Sequence, residues 1–379
     1  MIYLDNSATT KPFSSVVESF KEATNTYFAN PSSIHHLGGK SEKLLMSARR
    51  QVAHLLNVNE DHIIFTSSGT EGNNLAIKGI AFEHQNRGKH IITSMIEHPS
   101  VFETCKQLEA LGFTVTYLPV NKDGVISIED LKRAITDETI LITLMHVNNE
   151  IGSIQPIEEV GEIAKSYPKL FFHVDDVQGV GKVPLTLANS GIDCWTISGH
   201  KIHGLKGTGI LYKNNRVTIS PLFHGGNQEL GIRSGTENLA GAVSIARALR
   251  IIKEKEKDMG NDLHALNKYL RQQLGKIQEV EINSPVDGAP HIINFSIPGF
   301  KPEVVIHSLA EQDIFISTKS ACSSKQLEES RILKACGFEQ KRASSALRVS
   351  MSYDTTKEDI RLFVQTLKWV INQLKDIME

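Results

Sequence analysis

Runs of apolar and β-branched residues alternate, along the first half of the chain, with segments whose apolar residues recur with helical spacing. The runs predict buried strands at residues 62–67, 90–96, 114–120, 139–146, 170–174, 194–198 and 209–212. The helical spacing predicts helices at residues 42–56, 75–82, 101–111 and 157–164. Strands that alternate with helices indicate βαβ units, so we expect an α/β fold with a mostly parallel seven-stranded sheet flanked by helices.

A long helical segment and a second group of elements follow these strands. Helical spacing runs from residue 237 to residue 277, and Gly260 in its polar middle predicts a connector helix broken there, rather than only a solvated helix face. Further on, the pattern predicts strands at residues 292–297 and 347–351. It predicts helices at residues 304–311, 326–336 and 357–377. We therefore expect a large α/β domain at residues 15–257 and a small α+β domain formed by residues 1–14 and 258–379.

The composition restricts the class of protein. Of 379 residues, 40% are hydrophobic and 22% are charged, as is typical of soluble globular proteins. A net charge of −2 gives no field to attract nucleic acid or an anionic membrane, and we expect no membrane span and no secretion signal. The four scattered cysteines form no CxxC pair, so we expect a cytoplasmic protein with neither a disulfide framework nor a bound metal.

The first of four polar clusters is TSSGTEG, where the strand predicted at residues 62–67 leads into a helix. Small residues such as Gly69 let a ligand approach the backbone, and amides at a helix start, beside Thr70, favour a phosphate. Ser68 and Glu71 also fit a helix capping box, which needs no ligand. The sequence leaves both interpretations open.

The second cluster is HVDDVQ, in which Asp175 ends an apolar strand. A carboxylate there is costly unless a cation pairs with it. The pyridinium nitrogen of pyridoxal 5'-phosphate (PLP) would be such a cation, because an acidic partner keeps it protonated and able to accept electrons. The alternatives are a helix N-cap, or a metal ligand shared with His173, for which no third ligand stands at a suitable spacing.

The third cluster is SGHK, in which Lys201 follows another predicted strand. A lysine partly shielded from water can form a Schiff base with an aldehyde, and Ser198 and His200 could donate to a neighbouring phosphate. An exposed loop lysine is the commoner interpretation of any single lysine. The presence of Asp175 only 26 residues earlier favours the cofactor site.

The fourth cluster is SACSS, in which Cys322 lies among small polar residues of a predicted loop. An accessible cysteine there could be a nucleophile, and the nearby Lys319 and Lys325 could favour its thiolate. The alternative is an inert loop cysteine. The other cysteines, Cys105, Cys194 and Cys336, fall on apolar faces and are expected in the core.

Taken together, these clusters resemble the cysteine desulfurases, in the class V aminotransferase group of fold-type I PLP enzymes. The resemblance runs almost end to end, and the order and spacing of its motifs carry it. The matching strings are YLDNSATT from Tyr3, NPSSIH from Asn30, FTSSGTEGNNLAIKG from Phe65, HIITSMIEH from His90, MHVNNEIG from Met145, HVDDVQGVGK from His173, SGHKIHGLKG from Ser198, HGGNQELGIRSGTEN from His224, STKSACSS from Ser317 and ALRVSMS from Ala346.

The resemblance implies how the chain would bind PLP. Lys201 would hold the cofactor and move the substrate proton, and His98 would stack on the ring and assist proton transfer. Asp175 would pair with the pyridine nitrogen and Gln178 with the phenolic oxygen. The remaining cofactor contacts would come from Gly69, Thr70, Asn149, Ser198, His200 and, across a homodimer, Thr236 of the other subunit.

The resemblance also implies the reaction, in which L-cysteine becomes L-alanine. Asn149 and Arg348 would hold the substrate carboxylate, Arg348 as a bidentate clamp. Cys322 would take the sulfur as a persulfide and pass it to an acceptor protein, either an iron–sulfur scaffold or a tRNA-thiolating enzyme. The long segment between Cys322 and Arg348 is similar to the branch that serves these pathways.

Several positions depart from the family's pattern, and they are Asp176, His203, Leu205, Asn227, Leu230 and Lys319. The charge of Asp176 would either point to solvent or disturb the site, and Lys319 puts in doubt how freely the Cys322 loop moves. We therefore expect a working enzyme that is slow or depends on a partner. The alternatives are an aminotransferase or lyase on the same scaffold, and a low-activity scaffold protein that binds a sulfur acceptor.

Overall fold

The computed structural model describes residues 1–318 and 330–378, without the side chains of residues 261, 377 and 378. Its strands are β1 (Ile2–Tyr3), β2 (Ile63–Thr66), β3 (His90–Ser94), β4 (Thr114–Leu118), β5 (Thr139–Met145), β6 (Phe171–Asp175), β7 (Cys194–Ser198), β8 (Gly209–Lys213), β9 (Glu281–Ile282), β10 (Ile292–Ser296), β11 (Ile314–Phe315) and β12 (Ala346–Ser350). Its helices are α1 (Ser14–Thr26), α2 (His36–Leu56), α3 (Gly69–His84), α4 (Pro99–Ala110), α5 (Ile128–Ala134), α6 (Ile157–Lys165), α7 (Leu239–Leu274), α8 (Pro302–Ala310), α9 (Arg331–Ala335), α10 (Gln340–Ala343) and α11 (Lys357–Met378).

A seven-stranded sheet forms the centre of the α/β part, in the order β2-β8-β7-β6-β5-β3-β4. Strand β8 runs antiparallel to both of its neighbours, and the other pairs are parallel. All the predicted strands of this sheet are present, with ends that differ from the prediction by at most two residues. The expected mostly parallel α/β sheet is therefore confirmed.

Helices cover both faces of this sheet, because successive side chains of a strand point to opposite faces. Ile63 and Ile92 belong to an apolar cluster with α2, α6 and α7, whereas their neighbours Ile64 and Ile91 belong to a second cluster with α3 and α4. Strands buried on both faces read as continuous apolar runs, which is why the sequence pattern located them.

A second group of elements packs beside the sheet. Strands β12, β10 and β9 form an antiparallel sheet, and β1 pairs in parallel with β11, so the first residues of the chain join its last third. The strands predicted at residues 292–297 and 347–351 are confirmed as β10 and β12. The helix predicted at residues 326–336 is present from Arg331 to Ala335, and residues 326–329 lie outside the described part of the chain.

The predicted break at Gly260 is wrong, because α7 is one continuous helix of 36 residues. A glycine inside a helix costs only about 1 kcal/mol relative to alanine. Buried residues on either side of it, such as Ile252 and Leu263, fix the helix against the core and outweigh that cost. The helix also runs past residue 257, where the sequence places the boundary, so the division into two domains stays a prediction.

Among the described helices, none combines the length and the apolar character that a bilayer crossing would need.

Replacing Gly260 by alanine should stabilise the protein. A Cβ at this position meets nothing within 4 Å, and alanine loses less backbone entropy than glycine when the helix forms. We expect the free energy of unfolding, measured with urea, to rise by about 0.5–1 kcal/mol.

Gly79→Ala is the matched control for this substitution. It makes the same change inside α3, where the new Cβ would lie 2.3 Å from Ile219 Cγ2 and 2.9 Å from the Ser220 carbonyl oxygen. It should lower the free energy of unfolding. Equal effects of the two substitutions would contradict the packing argument.

Candidate active site

A cavity of about 260 Å³ lies at the edge of the sheet where its parallel strands end. Most of the residues predicted for the site line it. All of these except Arg348, which belongs to β12, lie at or just after the carboxyl ends of β2, β3, β5, β6 and β7. The predicted residues that line the cavity are Gly69, Thr70, His98, Asn149, Asp175, Gln178, Ser198, His200, Lys201 and Arg348. The fold thus brings together side chains that are almost 280 residues apart in the sequence.

Asp175 is the buried carboxylate of this cavity, with 4% of its surface exposed. Asn73 Nδ2 donates to its Oδ2 at 2.7 Å, and the amide of Val177 donates to its Oδ1 at 3.1 Å. Burial raises the pKa of this carboxyl to about 6, although both hydrogen bonds act in the opposite direction. A cationic group placed against Asp175 would offset the desolvation of its charge.

His173 does not share a site with Asp175. One of its ring nitrogens lies 2.8 Å from Thr143 Oγ1, and the other lies 3.0 Å from Thr196 Oγ1. Both nitrogens are therefore engaged inside the sheet, which argues against a metal held by this pair.

Lys201 lies in a 3₁₀ turn, Gly199–Lys201, that directly follows β7. Its ammonium donates to the main-chain oxygen of Ala8 at 2.8 Å and to that of Ser7. Gln178 Nε2 donates to the same Ser7 oxygen at 3.0 Å. The N-terminal segment, which follows β1, therefore forms one wall of the cavity and orients both side chains.

His98 caps the start of α4, and its ring is neutral. The amide of Ser100 donates to Nδ1 at 3.1 Å, so Nδ1 is an acceptor and the ring proton lies on Nε2. Burial, together with the positive charges of Lys201 and Arg331, lowers the pKa of this histidine to about 4. A neutral ring can lie against an aromatic cofactor without a buried charge, and the stacking itself stays a prediction.

The TSSGTEG cluster is both a helix cap and a wall of the cavity. Ser68 Oγ accepts a hydrogen bond from the amide of Glu71 at 3.2 Å, as the capping interpretation predicts. The Glu71 carboxylate, however, accepts from the amide of Ser67 at 2.9 Å instead of completing the reciprocal half of the box. At Gly69 a Cβ would lie 2.7 Å from Val177 Cγ2, so the close approach of these two segments requires glycine.

Arg348 is completely buried, and its guanidinium is bound by groups of the protein. Nη1 donates to the main-chain oxygen of Asn149 at 2.8 Å. Nη2 donates to the Asp5 carboxylate at 2.9 Å and to the Ser317 hydroxyl at 2.7 Å. A substrate carboxylate would share this guanidinium with Asp5, so the bidentate clamp stays a prediction.

Thr236 lies apart from this cavity. It is exposed in the segment between β8 and α7, and with Arg233 it lines a second cavity of about 200 Å³. Within one chain it is not brought together with Lys201. Its expected action in another subunit stays a prediction.

Asp176 does not point to solvent, since only 1% of its surface is exposed. Its Oδ1 lies 2.7 Å from His146 Nδ1, and Trp195 Nε1 donates to its Oδ2 at 2.9 Å. These partners hold the carboxylate behind the cavity. The expectation that the Asp176 charge points to solvent is therefore wrong. Asp176 is also not among the residues that line the cavity.

The other departures from the family's pattern lie around the site. His203 stacks on Phe13 with ring centroids 4.4 Å apart, and Leu205 packs against the core. Asn227 and Leu230 are exposed, and Leu230 adopts a left-handed backbone with φ of 61°.

Cys322, Lys319 and Lys325 lie outside the described residues. The other three cysteines are buried free thiols, which confirms their place in the core. Burial raises the pKa of Cys105 and of Cys336 to about 12, so neither forms a thiolate at neutral pH.

Described residues on both sides of residues 319–329 are tied to the cavity. Ser317 bonds Arg348, as described above. Ser330 Oγ donates to Glu150 Oε2 at 2.6 Å, and Arg331 Nη2 donates to the carbonyl oxygen of Glu97 at 2.5 Å. The described residues that flank Cys322 in the sequence, Ser317 on one side and Ser330 and Arg331 on the other, are therefore bonded to groups next to Asn149 and His98.

The donors and acceptors around the cavity fit PLP. An amine is present for an aldehyde, a buried carboxylate for a pyridinium nitrogen, and a helix start with hydroxyl groups for a phosphate. Three residues that line the cavity carry buried polar atoms without a partner among the described residues, namely Ser7 Oγ, Asn73 Oδ1 and Arg348 Nε. Buried polar atoms are normally paired, so these atoms indicate a ligand.

Sequence reasoning missed several residues of this site. Asn73, Ser100, Ser7 and Ala8 line the cavity, and Asn73 Nδ2 donates to Ser100 Oγ at 2.9 Å as well as to Asp175. Three of the four fall inside strings that carry the resemblance, which was the available signal. Their contacts join segments far apart in the chain and have no local pattern.

Comparison with known proteins places the whole chain in one group. The aminotransferase class-V family matches residues 2–363. A NifS/IcsS protein homolog of Lactobacillus delbrueckii subsp. bulgaricus is 46% identical over 96% of this chain and 95% of its own length. The cysteine desulfurase IscS of Dictyoglomus turgidum is 42% identical over 99% of this chain and 96% of its own length. A solved NifS-like protein structure superposes with a TM-score of 0.92 at 34% identity, covering 98% of this chain and 99% of that one.

Replacing Asp175 by asparagine should stabilise the protein without cofactor. Because the pKa of Asp175 is raised in the folded state, from 3.8 to about 6, its contribution to stability is full below about pH 4 and is lost as the pH rises through 6. At pH 7 the free energy of unfolding of D175N should exceed that of the wild type by on the order of 2 kcal/mol. The two should converge near pH 4, as urea unfolding of both apoproteins can show.

Glu229→Gln is the control for a buried carboxylate that is already paired. Glu229 receives two hydrogen bonds from Arg49, at 2.7 and 2.8 Å, so loss of its charge should destabilise the protein at pH 7, by about 3 kcal/mol. A D175N apoprotein less stable than the wild type at pH 7 would show that the Asp175 charge is already compensated.

Proposed function

The chain belongs to the class-V aminotransferase family, and we infer that it is a PLP-dependent cysteine desulfurase. The observation that carries this inference is the shared cavity of Lys201, Asp175 and His98, since it offers an amine, a buried carboxylate and a neutral ring to one cofactor. Full-length relatives named cysteine desulfurase, 40–42% identical to this chain, support the same reaction.

Lys201 would bind the cofactor aldehyde and, once released, move the proton of the substrate α-carbon. When bound, PLP supplies an electron sink at that carbon. Asp175 would hold the pyridine nitrogen protonated, which also compensates its own buried charge. Gln178 would donate to the phenolic oxygen, and His98 would cover the ring.

The phosphate would lie at the start of α3. Gly69 leaves the backbone there open to close approach, and Thr70, Ser198 and His200 line the same end of the site. Burial and neighbouring lysines lower the pKa of His200 to about 4, so it would act as a neutral hydrogen-bond partner. An anion is favoured at this position by the amides of the first helical turn.

The substrate carboxylate would lie between Asn149 and Arg348. We propose that the Cys322 thiolate attacks the sulfur of L-cysteine, so that the substrate carbon–sulfur bond breaks and a sulfur–sulfur bond forms on Cys322. The electron pair of the broken bond stays with the substrate β-carbon, which takes up the proton that Cys322 loses on forming its thiolate. Lys201 would return the α-proton, and the product leaves as L-alanine. The persulfide then passes to an acceptor protein, for which an iron–sulfur scaffold and a tRNA-thiolating enzyme are the two candidates.

A homodimer would complete the cofactor site with Thr236 of the second subunit. Exposed apolar side chains on the segment that carries Thr236 and on the segment before α2 support such an interface, and they are Phe28, Ile34, Phe223 and Leu230. We further propose that residues 15–257 form the large domain, with the rest of the chain as the small one. The buried free cysteines favour a reducing compartment such as the cytoplasm.

Two substitutions separate this function from its alternatives. Lys201→Ala should abolish covalent PLP, measured by mass spectrometry after borohydride reduction, because Lys201 is the one lysine among the described residues that line the cavity. Cys322→Ser should retain covalent PLP but form no protein persulfide from L-cysteine, measured by thiol labelling and mass spectrometry. An aminotransferase or lyase would keep its turnover of amino acids in the Cys322→Ser variant.

Matched controls exist for both variants. Lys206 is an exposed lysine close to the same turn, and Lys206→Ala should bind PLP like the wild type. Cys336 is a buried thiol, and Cys336→Ala should still form the persulfide. A wild-type protein that takes up no PLP would instead support a non-catalytic scaffold.

Mixed dimers of Lys201→Ala and Thr236→Ala chains test the proposed assembly. If Thr236 serves the other subunit, one of the two sites in a mixed dimer has both residues and should give about half of the wild-type rate of alanine release per dimer. Dimers of either variant alone should be much slower. A mixed dimer no faster than the mean of its parents, or a monomeric protein in sedimentation, would refute the shared site.

A further inference from the structure

A second lysine contacts the main chain of Lys201. Lys182 lies in the segment between β6 and β7 and is almost completely buried, with 6% of its surface exposed. Its Nζ donates to the carbonyl oxygen of Lys201 at 3.0 Å. It does not line the cavity, so the site described above does not use it.

The turn that carries Lys201 is held at each of its carbonyl groups. The Gly199 oxygen accepts from the amide of Gly204 at 2.8 Å, and the His200 oxygen accepts from the amide and the hydroxyl of Thr10, both at 2.9 Å. Lys182 supplies the charged donor to the third oxygen. Hydrogen bonds from charged donors are stronger than those between neutral groups, so Lys182 restrains the residue whose side chain must reach the cofactor.

The surroundings of Lys182 keep it charged. Burial lowers the pKa of Lys182 to about 8, while the negative charges of Asp176 and Glu256 oppose that effect. Asp176 is itself fixed by His146, which directly follows β5, and by Trp195, the second residue of β7. The departure at Asp176 thus places a carboxylate where it helps to hold a buried ammonium next to the Lys201 turn.

A buried ammonium is an expensive way to satisfy one carbonyl group. Desolvating a charge is strongly unfavourable, whereas an apolar side chain of similar volume carries no such cost. The geometry points to Lys182 as a positioning residue that fixes the main chain of Lys201, and thereby the direction from which its amine reaches PLP. This inference rests on the proposed function, since it concerns how Lys201 captures that cofactor.

Lys182→Met tests this role, because it keeps an unbranched side chain only one atom shorter and removes the donor and the charge. The measurement is the rate at which apoprotein captures added PLP covalently, followed by borohydride quenching and mass spectrometry. We expect K182M to capture PLP at least about tenfold more slowly than the wild type, because misplacing a reacting group costs rate. Lys182→Arg, which retains a charged donor, should recover part of that rate.

Lys213→Met is the matched control. Lys213 also donates to a main-chain oxygen, that of Val217 at 2.8 Å, but it lies at the end of β8 that pairs with Cys194, away from Ser198 and the cavity. Only K182M should capture PLP slowly, whatever change either substitution makes to thermal stability. A purely structural role predicts equal capture by both variants at temperatures where they are folded, and that result would overturn the inference.

Failure of K182M to fold and failure of the wild type to capture PLP can be distinguished from failure of this inference. If K182M does not fold, the double variant Asp176→Ala with Lys182→Met removes both buried charges together, and it should show the same slow capture. Wild-type capture by this double variant would refute the positioning role. If the wild type captures no PLP at all, the proposed function fails, whereas normal wild-type capture with unchanged K182M capture contradicts only the role of Lys182.

Discussion

The carboxylate of Asp175 lies at the end of a buried strand, where water contributes little to its solvation. Two hydrogen bonds, from Asn73 and from the Val177 amide, are too few to compensate the charge fully, and its pKa remains raised. The groups that surround Asp175 leave space for a cation that would compensate its charge. A neutral histidine, a helix start and a lysine held by main-chain oxygens all line the cavity that Asp175 enters, and a cationic ring between them would relieve the unfavourable burial.

The parallel sheet explains why these groups meet. Strands β3, β5, β6 and β7 end at one edge, and the last residue of each strand or the segment after it carries one of the groups, namely His98, Asn149, Asp175 or Lys201. The sheet core fixes the strand ends, so the chemistry depends on short turns mounted on a rigid support. Arg348 approaches from the antiparallel sheet, which makes the packing between the two groups of elements part of the site.

Local patterns predicted the central strands and the clusters around Gly69, Asp175 and Lys201, because buried strands are long apolar runs and these motifs follow them directly. The places of His98, Asn149, Gln178 and Arg348 were implied by the family resemblance. Local patterns failed where distant packing decides the outcome. Gly260 reads as a helix breaker, yet buried residues of α7 keep the helix continuous. The strands β1 and β11 have only two residues each and carry no periodicity. The partners of Asp176 and Arg348 lie on other segments, so burial and pairing could not be read from their neighbours in the sequence.

The N-terminal wall of the cavity has a consequence for how the protein is made. Asn6 and Ser7 bond to Ser350, Asp5 bonds to Arg348, and Ser7 and Ala8 hold the ammonium of Lys201. The first of these residues emerges from the ribosome long before the last is added to the chain. A nascent chain can therefore assemble the central sheet early, but the wall formed by residues 5–8 can be completed only after synthesis has passed residue 350.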